Sequence, residues 1–346
     1  MLLGLGAQVA LAQSVRSGGD VSPQIPASTT SLNLRERLLV GQVGAGWVTV
    51  DDGGIILDGS IRIGSYDGGP GLVTVSGTGP GGLRSRLREI SFLEINRNGT
   101  LIVQDGGRVD GWRSYLGGTV LVSGTDAEGN PSIWTNFFYD NIASEYEPGQ
   151  LVMSGGILSV EAGGRVLGEE VYLGLGTIAV KGAGARSGPS LLQVGSRLTI
   201  GGRAGDREPY GDGTLTIEDG GRVTSYQGII GQSNDSTAKG YVLVSGVNSR
   251  GNRSTWEILP STYYRGELRI YDTLDIEDGG RVIARTAFTG ENSMVRVSGQ
   301  SENGVESLLS LTFDLERLTK PRAGPESDDG GGDCEESAIE VGVAFV

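Results

Sequence analysis

A Gly-Gly pair returns five times along this chain, each time in the same apolar setting: Asp51 to Gly54, Asp105 to Arg108, Ala162 to Arg165, Asp219 to Arg222 and Asp278 to Arg281. Its second glycine stands at 54, 107, 164, 221 and 280, so the steps are 53, 57, 57 and 59 residues. A period of that length is the mark of an architecture built by stacking one unit on the next. Six residues before the origin stand Val48, Leu101, Leu158, Leu215 and Leu274; four before it, Val50, Val103, Val160, Ile217 and Ile276; two after it, Ile56, Val109, Val166, Val223 and Val282. The places between are mostly polar. Period-2 alternation predicts a strand with one buried face, and the Gly-Gly pair predicts the corner where that strand turns, because glycine reaches positive φ without strain.

Ten residues past the origin comes another glycine: 64, 117, 174, 231 and 290. A polar loop of variable length follows. A second strand then ends at Gly77, Gly124, Gly182, Gly246 or Gly299, in four of the five copies as Val-Ser-Gly. A third apolar strand closes some copies, as at Phe92 to Ile95 or Arg197 to Ile200. Units of two or three short strands cannot close a core alone. Parallel stacking at ~4.8 Å closes it. The expected fold is therefore all-β: a parallel β-helix (β-solenoid) of about five imperfect repeats, about a dozen coils in a rod roughly 55–65 Å long. Only Asn33 to Leu39 and Leu311 to Leu318 look helical.

Composition narrows the chemistry. There are 61 glycines in 346 residues, one cysteine, no histidine and a net charge of −14. Lack of histidine excludes a Ser-His-Asp triad and imidazole acid–base chemistry. One cysteine excludes an intramolecular disulfide framework and a thiolate zinc cluster. The acidic balance opposes nucleic acid and anionic lipid, both of which need clustered Lys and Arg. Residues 1–12, MLLGLGAQVALA, read as a signal peptide lacking its basic start, too short to span a bilayer. Residues 13–39 form a polar lead-in or cap, 40–318 the repeats, and 319–346 an acidic, glycine-rich, disordered tail.

The unit L-T-I-E-D-G-G-R-V … I-I-G … V-L-V-S-G … S-T-W, clearest from Leu215 to Trp256, resembles the repeat of autotransporter (type V secretion) passengers and PEP-CTERM-associated proteins, over roughly Val40 to Gly299. The resemblance implies a right-handed parallel β-helix exported to the bacterial surface, outer membrane-associated or extracellular, with an adhesive or structural role. Full autotransporters also carry a membrane β-barrel. The 28 residues after Leu318 hold no such pattern, so the translocator is expected elsewhere, or the chain is a truncated passenger fragment.

Trp134 and Trp256 look like a carbohydrate platform. Both stand ten residues after the Val-Ser-Gly glycine, where the other copies place Leu87, Leu192 and Leu309, so a core position is expected. Trp47 and Trp112 show no such alternation. Asp52, Asp105, Asp219 and Asp278 share one repeat position and Arg108, Arg165, Arg222 and Arg281 another. A polysaccharide lyase or glycoside hydrolase would need an asymmetric carboxylate constellation, whereas charges locked to a repeat read as solvated corners. No catalytic, cofactor or metal residue is assigned. Partner contact is expected from the tyrosine-rich segments between repeats, at Phe138, Tyr139, Tyr146, Tyr263, Tyr264 and Tyr271, toward a surface glycan or matrix protein. Self-association through the ends of the rod is the other expected contact. Cys334 reads as an incidental thiol.

Overall fold

The computed structural model describes residues 15–311 apart from 28, 35, 138–148, 186, 203–210, 233–237 and 292. The signal-peptide and tail expectations, and the sites at Phe138, Tyr139, Tyr146 and Cys334, lie outside the described residues. The protein is all-β: 29 strands form one continuous hydrogen-bonded sheet, and a two-stranded hairpin stands apart.

Three parallel ladders account for the long sheet. The first joins ten strands, from Gly46–Val50 through Gly71–Ser76, Gly99–Gln104 and Thr119–Ser123 to Met294–Val297. The second runs from Ser31–Leu34 and Ile55–Asp58 to Leu308–Leu311. The third runs from Leu38–Val40 and Ser60–Ile63 to Thr286–Thr289. The chain visits first, second and third ladder in turn and then begins again, so each visit lays down one three-strand layer. Ten strands in the first ladder span about 43 Å at the spacing of paired strands, short of the expected dozen turns. The ~55-residue repeat is thus two layers, not one.

Register brings like residues together. Val48, Val73, Leu101, Val120, Leu158, Ile178, Leu215, Val242 and Leu274 pair in one row, and each is fully buried. Their neighbours two positions on, Val50 to Ile276, form a second such row. Burying each aliphatic side chain contributes about 1.5–3 kcal/mol of transfer free energy. The core position expected for the tryptophans is found: Trp134 and Trp256 are both fully buried. In the second ladder residue size alternates layer by layer as Leu87, Val109, Trp134, Val166, Leu192, Val223, Trp256 and Val282. The third ladder makes room for the indoles. One layer before Trp256 it carries Gly228, and one before Trp134 it carries Ser114, where other layers carry Leu93, Leu151, Leu198 and Leu268. A Cβ on Gly228 would stand 2.6 Å from Trp256 Cζ2.

Corners alternate in kind. After odd layers of the first ladder the chain turns tightly through Asp-Gly-Gly. The residue before the pair, Asp52, Asp105, Ala162, Asp219 or Asp278, has φ of 48–52°, and the first glycine has φ of 81–85°. The second glycine is required for another reason: a Cβ on Gly107, Gly164 or Gly221 would lie 2.2 Å from a carbonyl oxygen of the preceding layer. After even layers the Val-Ser-Gly glycine opens a short hairpin, pinned by Thr78–Arg84, Thr125–Pro131, Ala183–Pro189, Val247–Arg253 and Gln300–Glu306. A serine joins the two corner types. The N–H groups of Gly53, Gly106, Gly163, Gly220 and Gly279 donate to the hydroxyls of Ser85, Ser132, Ser190, Ser254 and Ser307, 3.0 Å in every case.

The first layer is closed from outside. Val15–Gly19 lies antiparallel on Gly46–Val50, and Val21–Ser22 lies antiparallel on Leu38–Val40. The helix expected over 33–39 does not form; strands Ser31–Leu34 and Leu38–Val40 stand there instead. The helical reading rested on local sequence, but ladder edges on Ile55–Asp58 and Ser60–Ile63 lie open beside these residues, and Leu38 and Val40 fill the core at zero exposure. Tertiary pairing overrides helix propensity here. Of the second expected helix, Leu311 ends the strand Leu308–Leu311, and 312–318 lie outside the described residues.

Candidate functional site

Inward positions repeat and are sealed, so chemistry must come from outward positions and corners, where the repeat breaks. One place combines three aromatic rings with polar groups. Tyr66 follows Ser60–Ile63; Phe92 and Glu94 lie in Arg86–Ile95, with Asn96 in the turn just after it; Tyr115 lies in Arg108–Leu116; Ser154 lies in Gln150–Glu161. Four successive layers bring them to one pocket of ≈ 180 Å³ on the outer surface of the third ladder. Tyr66 is 61% exposed at its rim. Phe92 and Tyr115 pack with ring centroids 5.2 Å apart and tilted by 34°, within the range of favourable aromatic pairs.

The polar groups differ in how they are satisfied. Glu94 Oε2 accepts from Arg62 Nε at 2.7 Å, so its charge is paired. Asn96 is 3% exposed; its Nδ2 donates to the Gly64 carbonyl at 3.1 Å, which fixes the amide so that Oδ1 is the free end. That oxygen is buried and accepts from nothing among the described residues. A buried acceptor without a donor costs roughly 1–3 kcal/mol and calls for an explanation.

Of the expected contact residues, Tyr263, Tyr264 and Tyr271 lie among the described ones, each in its own setting. Tyr263 is 91% exposed, while Tyr264 is stacked on Tyr226 at 6.1 Å with planes 7° apart. Tyr271 packs beside Gly290, whose Cβ would meet its ring at 2.8 Å. Trp47 is 42% exposed, and the Arg113 guanidinium lies over the Trp112 ring, 5.3 Å from its centroid. Asp52, Asp105, Asp219 and Asp278 are exposed at the tight corners. They follow the first, third, seventh and ninth layers, with Ala162 after the fifth, so neighbours stand about 9.6 or 19 Å apart, too far to share a proton. Among the described residues no three His, Cys, Asp or Glu side chains are grouped to hold a metal ion, and no helix is long and apolar enough to cross a membrane.

Two carboxylates are held by buried networks. Asp110 joins three layers: it accepts from Arg86 Nη2 and Arg108 Nε, both at 2.6 Å, and from the Thr135 hydroxyl at 2.8 Å. Burial works to raise its pKa, but these donors outweigh burial and hold it below the usual carboxylate range. Asp126, in the second hairpin, is 8% exposed; burial again opposes ionisation, and donors from Asn130 and Thr78 again prevail. Both networks are structural, since neither carboxylate faces the pocket. A scan of family models and searches of curated proteins and of solved structures find no match to this chain.

Proposed function

We propose that the chain is a right-handed parallel β-helix serving as a rigid, non-enzymatic display rod, an exported autotransporter-type passenger with an adhesive or structural role at the bacterial surface. The observation that carries this reading is the in-register parallel ladders, whose inward rows are sealed while hairpins and aromatic groups that break the repeat project outward. Parallel strands joined without helices, three to a layer, support winding in one direction, and parallel crossovers are overwhelmingly right-handed. Such a rod holds its projections at fixed spacings, so several weak contacts act together on one extended partner. The acidic charge of −14 directs that partner away from polyanions.

The test is binding of the full chain to surfaces coated with neutral glycans and with matrix proteins, alongside incubation with soluble polysaccharides. The proposal expects saturable binding and no release of sugar fragments. Turnover of any polysaccharide, abolished by changing one Asp, would instead favour the lyase or hydrolase alternative.

A further inference from the structure

We infer that the pocket formed by Tyr66, Phe92, Glu94, Asn96, Tyr115 and Ser154 is a binding subsite for one neutral sugar ring. The inference rests on the adhesive reading and gives it a place and a ligand class. The lining has two chemistries. Phe92 and Tyr115 supply packed ring surface, and Tyr66 a ring that is more than half exposed. Rings of this kind accept the C–H face of a pyranose. The polar residues are Asn96, Glu94 with its carboxylate, and Tyr66, Tyr115 and Ser154 with their hydroxyls. Acceptors and hydroxyls of this kind demand a ligand rich in donors.

Charge selects within that class. None of the lining residues is a Lys or Arg, and Arg62 beside them is paired with Glu94 at 2.7 Å, so the lining offers an anion no cation of its own. The same pair opposes a cationic ligand, since the carboxylate is neutralised and a guanidinium stands beside it. A neutral polyol with an apolar face satisfies both conditions: its C–H face packs on the rings while its hydroxyls meet the polar residues of the lining, Tyr66, Tyr115 and Ser154 among them. A cavity of ≈ 180 Å³ holds one ring and leaves the rest of a glycan chain outside, so affinity per site is weak, with a dissociation constant on the order of 1 mM.

Saturation-transfer NMR on the full chain tests this, with methyl glycosides of glucose, galactose, mannose and N-acetylglucosamine as probes, glucuronate as the anionic control and choline as the cationic one. At least one neutral glycoside is expected to receive saturation, and both controls to receive none. Tyr66→Ala, a change at an exposed ring, is expected to weaken binding about fivefold at an unchanged melting temperature. Tyr115→Phe, which keeps the ring, is expected to retain most of it. Equal binding by choline, loss of no affinity in Tyr66→Ala, or no saturation of any neutral probe at about 10 mM overturns the inference. The coated-surface assay on Tyr66→Ala separates the two proposals. If the wild-type chain and the variant adhere equally, the pocket assignment fails while adhesion stands. If the wild-type chain adheres to nothing yet binds a glycoside, the adhesive reading fails and the pocket stands.

Discussion

Exchanging bulk between two adjacent layers tests the packing most sharply. Trp256 is fully buried and occupies the space that Gly228, 28 residues earlier, leaves open; its Nε1 donates to Ser225 Oγ at 3.1 Å. Trp256→Leu keeps an apolar side chain but leaves part of that space empty and strands the Ser225 hydroxyl, for a loss of about 2–3 kcal/mol. Gly228→Leu puts a Cβ 2.6 Å from Trp256 Cζ2, closer than real contacts allow, for a loss of about 2–3 kcal/mol by overpacking. Added, the two changes cost about 5 kcal/mol. The double variant, however, approaches the pairing that Leu192, two layers before Trp256, makes with Val171 of the layer preceding it. It should lose only about 1.5 kcal/mol, since the total volume is nearly conserved. The coupling energy is then about 3.5 kcal/mol, just above the usual range for residues in contact. Urea unfolding followed by circular dichroism measures all four corners of the cycle without relying on indole fluorescence. A double variant as unstable as the sum of the singles would refute the packing argument, as would a harmless Gly228→Leu.

Three further outcomes follow from single contacts. Trp134 Nε1 is buried without an acceptor, whereas Trp256 has Ser225; the matching place beside Trp134 is Gly111. Gly111→Ser should therefore stabilise by about 1 kcal/mol, and a drop in the unfolding midpoint would contradict that reading. Ser132→Ala removes the acceptor of the Gly106 N–H in a buried corner and should cost about 1–2 kcal/mol; Ser132→Thr, which keeps the hydroxyl, should recover part of it in thermal unfolding. Asp110 and Asp126 have folded-state pKa values below those of the unfolded chain. Their stabilising effect is complete above an unfolded carboxyl value of about 4 and disappears as pH falls through the lower folded values. Asp110→Asn should be less stable at pH 7 and should lose less stability between about pH 4 and 2 than the parent chain; parallel acid limbs would rule this out.

Much of the scaffold could be read before any coordinates. The Gly-Gly period, the paired rows of Val, Leu and Ile, and the Leu-or-Trp position all follow from equivalent residues meeting equivalent environments. What stayed hidden is instructive. The serine two residues before that Leu or Trp, at 85, 132, 190, 254 and 307, is as regular as the glycines. A serine among polar residues reads as solvent-facing, although its hydroxyl here is an internal acceptor. The count of layers, ten rather than about a dozen, is hard to read because the two halves of each repeat differ at the corner, one Asp-Gly-Gly turn and one hairpin, while sharing their strands. The stretch over 33–39 misled because local propensity outweighed a pairing edge supplied from 20 or so residues downstream.

The pocket was illegible for a different reason. Its six named residues come from four layers and occupy no common repeat position, so no periodic analysis gathers them. Only the register of the third ladder sets Phe92 beside Arg113 and Glu94 beside Tyr115. Aromatic residues in the connecting segments drew notice instead because they are adjacent in sequence. One signal was present: outward places that are mostly charged or polar along the third ladder become Phe92 and Tyr115 in successive layers.

Distances along the first ladder decide the central claim. Spin labels on cysteines placed at Thr49 with Ser159, Thr216 or Arg296, in a Cys334→Ser background, span four, six and nine layers of one outward row. Pulsed dipolar spectroscopy should return about 19, 29 and 43 Å, a constant ~4.8 Å per layer whatever number of residues intervenes. Distances that fail to grow in proportion to the layer count, or that exceed it with the length of intervening chain, would contradict stacked parallel layers.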